Sequence, residues 1–198
     1  MEISTVLFDL DGTITDSGSG IINSVKYALK KAGRKIPPED ELRKFIGPPL
    51  QEQFMKCCGI EEKEAAEMVA LYREYYQEEG IFDNRVYDGV MEMLKTLKEA
   101  GLKIVMATSK PEKFAEHFGF AKYFDLIGGA CMDGARTKKQ EVIQYVLEQC
   151  KEKDREKIRM VGDRCYDMEG ANREGIRAIG VLYGYGSKEE LEEAGADG

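Results

Sequence analysis

With 198 residues, 42% of them hydrophobic and 33% charged, the chain has the size and composition of one folded domain, or one domain with a smaller insert, and neither disorder nor a disulfide-stapled scaffold fits it. Its 29 basic against 37 acidic residues leave a net charge of −8, and with no Lys/Arg-rich run the footprint of a nucleic-acid or anionic-membrane binder is missing. Five cysteines without a CxxC pair read as reduced thiols of a cytoplasmic protein, and a single histidine excludes multi-histidine metal centres, so chemistry falls to carboxylates, hydroxyls and lysines.

No apolar run approaches the ~20 residues of a membrane span, and Met1-Glu2 opens straight into a strand-like segment in place of a signal peptide. Ile3 to Phe8 is a short, β-branched apolar run ending at an Asp-Gly turn, the pattern of a buried strand. From 17 to 82 the texture changes. Apolar residues recur at helical spacing (Ile22, Val25, Leu29; Met68, Leu71, Tyr72, Tyr75), with breaks at Gly33, Pro37-Pro38, Gly47-Pro48-Pro49 and Gly80. This predicts a bundle of four short helices.

From Val86 helices and strands alternate. Val90, Met91, Met93, Leu94 and Leu97 mark a helix face that stops at Gly101. A strand over Leu102 to Ala107 follows, then a helix beginning at Pro111, a short strand at Leu126-Ile127, and a helix face at Val142, Ile143, Val146, Leu147 and Cys150. Ile158 to Val161 and Ala178 to Leu182 are two more strands, with a helix between them. The expected class is α/β: a Rossmann-like, doubly wound parallel sheet with a helical bundle inserted after the first strand. The core is expected at 1–14 and 84–198, the insert at 15–83.

The densest chemical signal is Asp9-Leu10-Asp11-Gly12-Thr13, leaving the carboxyl end of the first strand, where open α/β sheets bind ligands. Asp9 and Asp11, two apart in extended chain, start on one side and converge as the turn at Gly12 begins. With no histidine relay, the pair suggests a carboxylate nucleophile and a carboxyl acid/base; a plain strand-ending turn is the structural alternative. Thr108-Ser109 ends the strand at Ala107 and either joins this site or caps the next helix. Lys138-Lys139 begin a helix, where cations are unfavourable without a partner. Gly162-Asp163-Arg164-Cys165-Tyr166-Asp167 ends a further strand, with two acids four apart that equally suit a helix start. Acids crowded on one rim repel unless a cation sits among them, and an all-oxygen donor set favours Mg²⁺, which prefers a phosphate partner.

In these motifs, and over nearly its whole length, the chain resembles haloacid-dehalogenase superfamily phosphatases with a small helical cap, close to the phosphoglycolate phosphatase group. The resemblance implies that Asp9 attacks phosphorus to form an aspartyl-phosphate while Asp11 serves as acid and then base. Thr108 and Lys139 (Lys138 in reserve) hold the phosphoryl group, with Gly12, Thr13 and Ser109 beside them. Asp9, the Asp11 backbone carbonyl and Asp163 hold Mg²⁺, Asp167 supporting the metal shell. It also implies that 15–83 is the cap, Gly47-Pro48-Pro49-Leu50 its substrate-facing loop, and Arg43 with Gly47 and Pro48 the substrate-selecting residues; a solvated Arg43-Lys44 pair is the plainer reading. The dehalogenases of the superfamily lack the second acid, so Asp11 speaks for phosphate esters.

The expected substrate is a small phosphorylated metabolite, 2-phosphoglycolate first, then nucleoside monophosphates, pyrophosphate and sugar phosphates. A sugar-phosphate mutase and a non-catalytic metabolite sensor stay open. Two departures from the family pattern stand out. The segment after Lys110-Pro111 is about four residues short, ~6 Å of helix, and the family's further strand and helix do not follow Asp197. His117 is expected at the surface or half-buried, Cys57-Cys58 in packing, Cys165 as an optional oxidation-sensitive thiol, Tyr72, Tyr75 and Tyr76 on a helix face, and the run 188–193 as a solvated helix.

Overall fold

The computed structural model describes residues 2–115, 119–131, 133 and 135–198. The expectation for His117 lies outside the described residues. The chain divides into two compact units, one of Met1–Thr15 with Val86–Gly198 and one of Asp16–Arg85.

In chain order, strand β1 (Thr5–Phe8) leads to a two-residue strand β2 (Thr15–Asp16) and four helices, α1 (Gly18–Lys31), α2 (Glu39–Arg43), α3 (Leu50–Cys58) and α4 (Glu62–Tyr75). A π-helical turn, Tyr76–Gly80, extends α4, and β3 (Arg85–Val86) pairs with β2. Then come α5 (Val90–Glu99), β4 (Lys103–Pro111), α6 (Glu112–Ala115), β5 (Leu126–Ala130), α7 (Lys139–Gln149), β6 (Ile158–Gly162), α8 (Cys165–Arg173), β7 (Arg177–Gly180) and α9 (Lys188–Glu193).

The helical unit closes on the face that periodicity marked. Ile21, Ile22, Val25, Ala28 and Leu29 of α1 are buried, as are Ala65, Met68, Val69 and Tyr72 of α4, the stripe that gives a helix its core-facing side. Helix α1 and the π-turn meet backbone to backbone, since a Cβ on Gly20 would stand 2.1 Å from the Gly80 carbonyl oxygen. Tyr72 and Tyr76 stack with ring centroids 5.5 Å apart, a packing role for that tyrosine face.

The other unit is a five-stranded parallel sheet in the order β5-β4-β1-β6-β7. Successive side chains of a strand point to opposite faces, and both faces here are covered. Val6, Phe8, Ile104 and Met106 pack with Val90 and Leu94 of α5. Leu7, Val105, Ala107 and Met160 pack with Val142, Ile143 and Val146 of α7 and Met168 of α8. This is the doubly wound α/β arrangement. Strand order runs outward from β1 through β4 to β5, then resumes on the other side with β6, so a topological switch point falls between β1 and β6, where ligand crevices open.

Several strand boundaries differ from expectation: β5 runs on to Ala130, and β7 ends at Gly180, before Leu182. Strand β4 runs on to Pro111, pairing Pro111 with Ala130 across a register shift after Ala107, so α6 starts at Glu112. Pairing with Ala130 of the neighbouring strand outweighed the local helix-start signal of the proline.

Candidate active site

Two acids of the site sit directly where β-strands end. Asp9 follows β1, its N–H held by the Val161 carbonyl of β6 at 2.9 Å, and Asp163 follows β6. These two flank the switch point. Asp167 lies in the first turn of α8, whose start it caps by accepting the Arg164 N–H at 3.1 Å. Two glycines make the convergence possible. A Cβ on Gly162 would stand 2.3 Å from the Asp167 carboxyl carbon, and one on Gly12 2.1 Å from Asp163 Oδ2; Gly12 also holds φ 92°, which a side chain strains.

Oxygens of Asp9, Asp163 and Asp167 lie within 4.8 Å of one another, and all three residues are buried. Lys139, the first residue of α7, is buried among them. Its ammonium contacts Asp9 Oδ1, stands 2.9 Å from Asp167 Oδ1 and donates to the Ala107 carbonyl at 2.9 Å. Lys138 is exposed at the N-cap of the same helix, so the structure brings Lys139, and not Lys138, into this cluster. Burial opposes the charge on Lys139, but Asp167 and Asp9 outweigh it and hold its pKa above the ordinary value.

The carboxylates feel their own crowding. Burial pushes Asp9 up to about 7, Lys139 pulling it down while Asp167 and Asp11 add to the rise. Burial, then Asp9 and Asp167, push Asp163 up to about 8. Three buried acids against one ammonium is an unbalanced charge set, and one with oxygen donors alone. It fits a hard divalent cation such as Mg²⁺.

Asp11 stands apart from this cluster. Its Oδ1 pairs with the Lys110 ammonium at 2.5 Å, both residues being buried. Lys110 was missed by sequence reasoning, although it directly follows Thr108-Ser109 at a strand end and so carried a positional signal. Thr108 is buried in β4, its Oγ1 accepting the Lys110 N–H at 3.1 Å, and Ser109 is half-buried beside it. Thr13 is buried, with its hydroxyl donating to Asp163 Oδ1 at 3.2 Å. A second contact to Asp163, the Tyr185 N–H on Oδ2 at 2.8 Å, comes from the segment after β7 and was also missed.

In the helical unit, Arg43 is exposed at the end of α2, Gly47 takes φ 107° and Pro48 is buried. Lys44 pairs with Glu41 at 2.5 Å, as a solvated face requires. Cys57 and Cys58 close α3, half-buried. Cys165 offers little as a redox group, because burial and the neighbouring Glu190 push its thiol up to about 12 and reactivity needs the thiolate.

Against known proteins, the sequence matches the family described as haloacid dehalogenase-like hydrolase over residues 6–181. A 5'-nucleotidase of Pseudomonas aeruginosa is 44% identical over 190 residues, covering 94% of this chain and 86% of that protein. The tyrosine-protein kinase PtkA of Mycobacterium tuberculosis is 38% identical over 192 residues, 95% of this chain and 65% of its own length. A solved structure described as a predicted phosphatase from Clostridium acetobutylicum superposes with a TM-score of 0.95 at 44% identity, covering all of this chain and 93% of the other.

Proposed function

Because the chain belongs to the haloacid dehalogenase-like hydrolases and is a phosphatase among them, we propose that it hydrolyses small phosphate monoesters through a phosphorylated Asp9, with Mg²⁺ as cofactor. The observation that carries this reading is the separation of the two acids of one turn: Asp9 lies in the carboxylate cluster with Lys139, while Asp11 lies on Lys110. Two carboxyls in different surroundings are suited to two roles.

Asp9 Oδ attacks phosphorus and the bond from phosphorus to the ester oxygen breaks. Asp11 delivers its proton to the departing alkoxide. Asp11 then takes a proton from the water that attacks phospho-Asp9, which releases inorganic phosphate and restores both carboxyls. Lys139 and Thr108 hold phosphoryl oxygens, with Gly12, Thr13 and Ser109 lining the turn and strand end around them. Asp9, the Asp11 backbone carbonyl and Asp163 would hold Mg²⁺, with Asp167 behind them; the ion supplies charge that lets an anionic nucleophile meet an anionic ester.

On substrate, the likeness to a 5'-nucleotidase favours nucleoside 5'-monophosphates over 2-phosphoglycolate, which the family resemblance puts first and on which the motifs are silent. The helical unit is proposed as the cap that selects the alcohol part, with Arg43, Gly47 and Pro48 as its selecting residues. Five free thiols and the lack of any described helix long and apolar enough to cross a membrane support a cytoplasmic setting.

The test is phosphate release from a panel of esters, with Mg²⁺ and with EDTA, alongside Asp9→Asn. Release that needs Mg²⁺ and falls at least about 10³-fold in the variant is expected; turnover retained by Asp9→Asn removes the nucleophile assignment.

A further inference from the structure

The segment after β7, residues 181–187 (Val181-Leu182-Tyr183-Gly184-Tyr185-Gly186-Ser187), plays no part in the reaction just described. Yet it closes on one acid of the site. The Tyr185 N–H donates to Asp163 Oδ2 at 2.8 Å. Two residues earlier, the Tyr183 hydroxyl donates to the Thr13 carbonyl at 2.9 Å, and Thr13 in turn donates its hydroxyl to Asp163 Oδ1 at 3.2 Å. The contacts form a ring, from Thr13 to Asp163 to Tyr185 and back through Tyr183.

The glycines of this segment have no room for anything larger. A Cβ on Gly184 would stand 2.4 Å from the Asp163 Cβ and 2.4 Å from the Gly12 carbonyl oxygen; one on Gly186 would stand 2.0 Å from the Asp163 carbonyl oxygen. Those neighbours are backbone or the root of a side chain, so an alanine has to displace the segment. The Tyr183 ring is further steadied against Tyr87, centroids 5.0 Å apart and edge-on. Asp163 is fully buried, and this ring of contacts fixes which lone pairs of its carboxylate remain for a ligand. Groups that orient a metal-binding carboxylate tune the affinity of the site, their loss typically costing about 10- to 100-fold.

We propose that residues 181–187 are a positioning clamp for Asp163, in which the Tyr183 hydroxyl and the close approach of Gly184 and Gly186 set the carboxylate's orientation and so the affinity for Mg²⁺. The inference rests on the Mg²⁺ reading above. Tyr183 is a positioning residue, acting through Thr13 and Asp163.

Isothermal titration of the intact protein with Mg²⁺ tests it, on the unsubstituted chain and on Asp163→Asn, Tyr183→Phe, Gly184→Ala and Leu182→Ala. Tyr183→Phe deletes one hydrogen bond and should weaken Mg²⁺ about two- to tenfold. Gly184→Ala displaces the segment and should weaken it about 10- to 100-fold. Leu182, on the same segment but 63% exposed, should tolerate alanine without change. Turnover lost by Tyr183→Phe should return at high Mg²⁺ with the substrate KM unaltered, which a general loss of stability does not produce.

Tyr183→Phe binding Mg²⁺ as tightly as the unsubstituted chain overturns the clamp, and this variant carries the test if Gly184→Ala fails to fold. Failure of the metal reading looks different: the unsubstituted chain then binds no Mg²⁺, or Asp163→Asn binds it equally well, and the clamp falls with it.

Discussion

Asp9 and Asp11 are separated by one residue, yet their surroundings differ, which suits the two roles proposed for them. Asp9 shares Lys139 with Asp167, an arrangement that would hold the proposed nucleophile in place. Asp11 pairs with the Lys110 ammonium instead, out of the carboxylate cluster that Asp9 shares with Asp163 and Asp167. If Asp11 is the acid, its worth depends on how much the leaving oxygen needs a proton. Asp11→Asn should slow alkyl phosphates about 10²–10⁴-fold and an aryl phosphate such as p-nitrophenyl phosphate far less, so that rate falls more steeply with leaving-group basicity. Equal losses across the series assign Asp11 another role. Lys139 is chosen over Lys138 on the family resemblance, because the residue pattern alone leaves the two open. The choice between Lys138 and Lys139 turns on which side chain finds Asp9, 130 residues away in sequence, and helix phase at an uncertain boundary does not reveal that. Lys110 was hidden for a similar reason, its meaning coming only from Asp11, 99 residues distant.

At the scale of elements, what could be read early was whatever repeats locally. Helix α1 showed itself in the spacing of Ile22, Val25 and Leu29, all buried, and β1 in an apolar run that ends at the turn carrying the acids. Strand β4 was read to end at Ala107, short of Pro111, because its last pairing, Pro111 with Ala130, is a tertiary fact that overrides local preference. Of the segment 181–187 only Val181 and Leu182 were read, as the tail of a strand, and that strand ends at Gly180. Its glycines look like ordinary loop residues until Asp163 is placed against them.

The turn between α2 and α3 permits a sharper test. Phe45 and Ile46 bury beside it, and Phe45 meets Phe54 edge-on at 4.9 Å, so this stretch is anchored within its own unit. Gly47 has to keep its φ of 107°, whereas Pro48 and Pro49 add stiffness and shape. Replacing both prolines by alanine while keeping Gly47 should shift the ratio of kcat/KM between two esters by about tenfold or more, with the Mg²⁺ activation constant unchanged. A changed Mg²⁺ requirement places this turn among the groups that serve the metal and removes its selecting role.

For the whole molecule, the site is a local concentration of negative charge in a chain already at −8, and folding bears its cost. Asp9 and Asp163, pushed up to about 7 and about 8 from an ordinary 3.8, bind protons in the folded state that the unfolded chain has already released. Stability changes with pH as the difference in bound protons, unfolded minus folded. That difference is negative here, so the metal-free protein is most favoured by these groups below about pH 4 and loses their contribution as pH rises to about 8. Thermal unfolding in EDTA should therefore show a midpoint that falls between pH 5 and pH 8, by several degrees for a chain of this size. Asp163→Asn, which carries no proton to lose, should flatten the slope. If Mg²⁺ is the cation of this cluster, it should bind the ionised folded form and stabilise it in proportion to ln(1 + [Mg²⁺]/Kd), so its effect on the midpoint should grow over the same interval, as the protons it competes with depart. A midpoint in EDTA that holds level or rises across this window, with a Mg²⁺ shift independent of pH, detaches the raised carboxyls from the cation site and returns the cluster to a purely structural role.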